Sequence, residues 1–281
     1  MSFVKPFLRK TSDVYFSASA RLISAVLPPR LWYWTLLRIC RLHALLLQPL
    51  LSLTPYREDR RRPIIVAWLL HSWLRRFVAL ERLVPIPIRS TGTQVVDDAR
   101  TNRRGMVICS VHLPLVQCIL RPLVDAGQSP TAAVADAVEQ LHQRVPVWGS
   151  REGIPAIVPD RNVWLRVRSI LRHGGSIAVL LDPGLGESLN SEIFRFIRTI
   201  GARVVFAICE LQPNGEILVD YFEPPDPFFT GDKSIEANLQ ALADRRGSVL
   251  RDVGKPATFP AEPIARGADS SVGVGLSKPS V

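Results

Sequence analysis

Two polar side chains stand directly after runs of apolar residues. His112 follows Gly105-Met106-Val107-Ile108-Cys109-Ser110-Val111, and Asp182 follows Ser176-Ile177-Ala178-Val179-Leu180-Leu181. Each run is continuously apolar rather than alternating, as expected of a strand buried on both faces. In open α/β sheets, ligands gather at the carboxyl ends of strands. An imidazole at such a place can take a proton from a hydroxyl, provided another group fixes its tautomer. Gln117, on the helix expected to follow, could accept the Nδ1 proton of His112 through its side-chain oxygen. A hydrogen-bonded structural histidine beside a helix-capping turn fits the same position equally well. For Asp182 the competing reading is a turn residue before Pro183-Gly184.

The elements that must position these residues follow from the pattern. From about residue 91 onward, short apolar strands alternate with helices, which predicts an α/β domain with a mixed sheet flanked by helices. Pro114 stands where a helix would start, running to about Asp125 before Gly127. Residues 162–172 read as an amphipathic helix closed by Gly174-Gly175. A helix over 191–200 and strands over 202–209 and 216–221 follow, the strands joined by the turn Gln212-Pro213-Asn214-Gly215. A last helix spans 233–253. Residues 255–281 are rich in Pro, Gly, Ser and Ala without periodicity and read as a disordered tail.

The first 90 residues differ in kind. They carry 15 Lys/Arg against 4 Asp/Glu, a net +11 that more than accounts for the whole chain's +10. The expected division is a basic helical region at 1–90, the α/β domain at 91–254 and the tail. Residues 12–54 read as two helices broken at Pro28-Pro29, with Trp32, Tyr33 and Trp34 just after the break. Arg57 to Arg62 reads as a solvated loop, and Ile64 to Leu83 as a third helix. Long apolar helices with this charge suit an anionic membrane surface better than nucleic acid, for which no motif is present. The stretch Leu31–Leu53 contains Arg38, Arg41 and His43 and is too short of uninterrupted apolar residues to favour spanning. It would lie on or dip into a bilayer; a buried core helix is the alternative.

With 281 residues, 47% hydrophobic and 21% charged, the chain can bury a sizeable core. Its four cysteines form no Cys-x-x-Cys pair, so neither a disulfide framework nor a zinc site is expected. Pro183-Gly184-Leu185-Gly186-Glu187-Ser188 lacks the lysine of a phosphate loop and the spacing of a dinucleotide fingerprint. His43, His71, His142 and His173 show no ligand spacing and read as structural or solvated.

The segment ending in His112, with Gln117 after the four intervening residues Leu113–Val116, resembles the first motif of the bacterial lysophospholipid acyltransferase superfamily. The similarity is to its lipid A biosynthesis (late) acyltransferase branch, whose motif is a strand, His, four residues, then Asp or Glu. Further pieces follow in order. Residues 151–158, Arg-Glu-Gly-Ile-Pro-Ala-Ile-Val, resemble the family's Arg-containing turn. Residues 171–182 resemble its strand ending in Asp, and 201–205 its Gly-Ala-x-Val-Val strand. The resemblance covers roughly residues 20 to 225.

It implies a glycerolipid acyltransferase-like fold and transfer of an acyl chain to a hydroxyl of a lipid or lipid-like acceptor. The co-substrate would be a thioester of acyl carrier protein or of CoA, with no metal or tightly bound cofactor. His112 would be the general base, Gln117 and Asp182 would stand at catalytic positions, and Arg151 at a substrate-binding one. The acidic acyl carrier protein would be a partner, at the cytoplasmic face of a bacterial inner membrane. Three departures bear on this. Gln117 replaces a carboxylate, and in serine-protease triads an Asp-to-Asn change costs about 10⁴ in kcat. The family's Phe-Phe-Gly stretch after the Asp is missing, and so is its Trp-and-basic C-terminal signature. A relative that binds acyl chains or protein partners without turnover is the alternative.

Overall fold

The computed structural model describes residues 4–47, 58–101, 105–133, 144–151, 153–157, 162–181 and 192–250. Asp182, His142 and residues 48–57, 183–188 and 255–281 lie outside the described residues. Three helices come first: α1 (Val4–Val26), α2 (Pro29–Leu46) and α3 (Glu58–Ala79). Then follow β1 (Ile88–Thr91), α4 (Thr93–Arg100), β2 (Met106–Ser110), a 3-10 turn (Val116–Leu120) and α5 (Arg121–Asp125). After them come β3 (Thr131–Ala133), β4 (Arg144–Pro146), β5 (Gly153–Ile157), α6 (Val163–Arg172) and β6 (Ser176–Leu180). The described chain closes with α7 (Glu192–Ile200), β7 (Arg203–Leu211), β8 (Ile217–Phe222) and α8 (Asp232–Leu250).

The expected α/β class holds. The strands form one eight-stranded mixed sheet in the order β1-β8-β7-β2-β6-β3-β5-β4. β2 lies inside it, parallel to β6 on one side and β7 on the other. All five β2 residues are buried. Alternate side chains serve opposite layers: Met106 and Ile108 join one cluster with Trp32, Leu36, Trp73, Val205 and Tyr221. Val107 and Cys109 join the other, with Leu171, Phe194, Ile197 and Leu242. Period-two alternation thus works on both faces of one strand, which is why the sequence there reads as a continuous apolar run.

The basic N-terminal helices are one whole layer of this sandwich. Their residues share a single buried cluster with β2, β7 and β8, so the change in sequence style near residue 90 does not divide the core. α2 also clasps the β7–β8 turn. The Tyr33 hydroxyl donates to the Gly215 carbonyl at 2.6 Å, and Arg41 donates to that of Pro213 at 2.7 Å.

The outer side of the layer is apolar as well. Val14, Ala18, Leu22 and Val26 are exposed at four-residue spacing on α1, and Leu31, Trp34, Leu42 and Leu45 form an exposed stripe on α2. Residues four apart share a helix face. Between Val14 and Arg57 there are four arginines and no Asp or Glu. No described helix is long and apolar enough to cross a membrane.

Several expectations need correction. Residues 58–62 belong to α3 rather than to a loop, since Glu and Arg are good helix formers. α3 also stops at Ala79, short of Leu83. There Glu81 adopts φ +55. Its N–H donates to the Val78 carbonyl and that of Arg82 to the Phe77 carbonyl, both at 2.9 Å. This is the reciprocal C-cap that glycine usually closes; a non-glycine residue there stores about 1–3 kcal/mol of strain. The helix expected over Pro114–Asp125 is broken instead into a turn, the 3-10 segment and α5, because Leu115 sits at φ +69. Residues 153–157, read as part of a turn, form strand β5.

Candidate functional site

β2 delivers His112 to the carboxyl end of the parallel strands. Ser110 is in register with Leu180 of β6, and the Leu181 N–H donates to the Ser110 carbonyl at 2.8 Å. Two residues later, His112 is half-buried where the chain leaves the sheet. Leu113, Pro114, Leu115 and Val116 behind it are all buried.

Three distant side chains hold that turn. The Cys209 thiol on β7 donates to the Pro114 carbonyl at 3.4 Å. The Tyr221 hydroxyl on β8 donates to the Ile119 carbonyl. The Leu115 N–H donates to Nδ1 of His71 on α3, at 3.2 Å. Because Nδ1 accepts, the His71 ring proton sits on Nε2. Burial, helped by the Arg75 charge, lowers the His71 pKa to about 4, so the ring stays neutral and the acceptor persists at neutral pH. Its ring centroid lies 4.7 Å from that of Trp148. The structural alternative for His71 holds: it is a half-buried clamp on the His112 turn. The available signal was its place in the apolar stripe Ala67, His71, Leu74, Val78 of α3.

Gln117 does not fill its expected role. Its Oε1 is enclosed and accepts no hydrogen bond, so the bond from His112 is not made. Leu115 at left-handed φ and the 3-10 geometry place Gln117 on no regular α-helix. The neighbouring Ser110 Oγ is likewise buried without a partner. An orphaned buried acceptor of this kind costs about 1–3 kcal/mol. Both orphans lie within a few residues of His112.

Arg151 is exposed and lines a cavity of about 680 Å³ between α2, α3 and residues 146–151. His112 and Gln117 are not among its lining residues. The structure therefore gathers Arg151 with this cavity, and His112 and Gln117 with the β2 turn. Asp182, the remaining expected site residue, lies outside the described residues.

All four cysteines are free and buried. Burial pushes the thiols of Cys40 and Cys209 up to about 12, and raises those of Cys109 and Cys118 as well. None is poised as a thiolate nucleophile. Among the described residues no three His, Cys, Asp or Glu side chains are placed to hold a metal ion. No protein-family model matches the sequence, and no curated protein matches it significantly.

Proposed function

We propose that the protein is a glycerolipid acyltransferase-like O-acyltransferase. It moves an acyl chain from a carrier-protein or CoA thioester to a hydroxyl of a lipid or lipid-like acceptor at an anionic membrane surface. The observation that carries the reading is His112, a half-buried imidazole at the carboxyl end of an interior parallel strand. The ring takes the acceptor's hydroxyl proton as the oxygen attacks the thioester carbonyl. The tetrahedral intermediate expels the carrier thiolate, which receives the proton back from His112. Atoms balance: one C–S bond breaks, one C–O bond forms, and a thiol leaves. Asp182 would complete the proposed set as a catalytic position, whereas Arg151 lines a cavity that His112 does not and is left out of it.

The place of action is the cytoplasmic face of a bacterial inner membrane. Support comes from the outward apolar stripes of α1 and α2, joined to a run of arginines without a single carboxylate. Such a surface gains from burying apolar area and from anionic headgroups, each basic residue adding about 1 kcal/mol near the surface. The same charge suits an acidic acyl carrier protein as donor. A substitution that spares the inner core tests the docking. Leu42→Asp with Leu45→Asp is expected to abolish flotation with anionic vesicles while leaving the melting temperature within a few degrees. Undiminished flotation would remove these helices from the interface.

A second reading is favoured by the unpartnered Gln117 Oε1. With an unpaired amide where the resembled motif has a carboxylate, the protein would bind acyl chains or protein partners and turn nothing over. Free-thiol release from an acyl carrier protein thioester, in the presence of a lipid extract on anionic vesicles, separates the two. The wild-type chain is expected to release thiol in proportion to acceptor acylated, and His112→Ala to release about a hundredth of that or less. Silence from both proteins would leave the binding function alone.

A further inference from the structure

The 680 Å³ cavity is of ligand size. Trp32, Leu74, Val78, Val147 and Trp148 supply apolar wall, and Arg82 and Arg151 bring two exposed cations to the lining. Glu81 adds one carboxylate. The left-handed cap of α3 places Glu81 and Arg82 there, against the preference of a glutamate for other backbone conformations. Backbone strain of this kind clusters at ligand sites. An apolar chamber edged by guanidinium groups complements a single aliphatic chain with a negative head.

We propose that this cavity binds one fatty-acyl chain carrying an anionic head group, apart from the His112 site, and that its occupancy sets the His112 turn. The head pairs with Arg82 and Arg151, and the chain lies along Trp32 and Trp148. Trp148 touches the bound chain on one side and the His71 ring on the other. His71 in turn accepts the Leu115 N–H, at the left-handed residue that shapes the turn. Restraining the Trp148 ring restrains His71, and through it the Leu115 amide three residues from His112. This inference needs no acyl transfer: binding and amide exchange report on it whether or not the protein turns over.

The probe is dodecanoate brominated at its terminal carbon, added below its micelle concentration to the full chain, with tryptophan fluorescence as readout. Saturable quenching is expected. It should weaken about tenfold or more in Arg82→Ala with Arg151→Ala, since two charge-assisted contacts are lost. Glu81→Gln should tighten it. Trp148→Phe should remove a large share of the quenching and Trp34→Phe little. Hydrogen exchange across residues 112–120 should slow when dodecanoate binds, and not in His71→Ala, which should still be quenched. Equal quenching by the corresponding brominated alkyl-trimethylammonium would overturn the head-group assignment. Quenching that disappears with Trp34→Phe would put the chain on the outer face of α2 instead. Exchange slowing that survives His71→Ala would overturn the link to the turn.

Discussion

Replacing His112 by alanine is expected to lower acyl transfer by about 10²–10⁴-fold, the usual contribution of a positioned general base. The loss should fall on kcat, with vesicle binding unchanged. The fold should survive, because the turn is held by Cys209, Tyr221 and His71, none of which depends on the imidazole. The comparison is thiol release by wild type and variant at matched melting temperature. Turnover that ignores the substitution would remove His112 from the mechanism.

A large loss of stability is expected from Gly105→Ala. Gly105 sits at φ +79 just before β2, and an added Cβ would lie 2.6 Å from the Leu171 carbonyl oxygen and 2.7 Å from that of Gly175. Both obstacles are backbone, so no side chain can swing away. The same glycine accepts the Arg203 N–H at 3.1 Å, and the Met106 N–H donates to Gly175 at 3.2 Å. Any shift therefore disturbs β2 at its junctions with both β6 and β7. A left-handed alanine costs about 1–2 kcal/mol, and overpacking typically adds about 1–3 kcal/mol. Gly127→Ala is the control: its φ is +72, but nothing lies within 4 Å of the added Cβ. Urea unfolding should show a large fall in midpoint for Gly105→Ala and a small one for Gly127→Ala, with unchanged slopes. Equal midpoints would mean that the close approach at Gly105 is relieved at no cost.

The parts of the fold legible in sequence are those whose signal is local. β2, β6 and β7 announce themselves as unbroken apolar runs, and the β7–β8 hairpin by Pro213-Asn214-Gly215. Gly174 at φ +75 closes α6 as expected. Strands of three residues, β3 and β4, carry too few positions to show a period. α4 escaped notice because it begins at Gly92, with no side-chain cap to mark its start. For α1 and α2 the inner and outer stripes are both apolar, so periodicity could not tell a core helix from a membrane-lying one. At the site, the placement of His112 after a buried strand was readable. The 3-10 setting of Gln117 was not, since it begins at one left-handed leucine. Nor was the convergence of His71, Leu115 and Trp148, which are far apart along the chain.

Sharing a core across such a distance has a consequence for biosynthesis. α1 to α3 leave the ribosome well before β7 and β8, which close over their inner side and span residues 203–222. At about 5–20 residues per second the interval between them is on the order of ten seconds. Throughout it, the nascent chain presents sticky, positively charged helices with neither side covered. Until β7 and β8 emerge, some other surface must cover that inner face if the helices are not to stick to one another or to neighbouring chains.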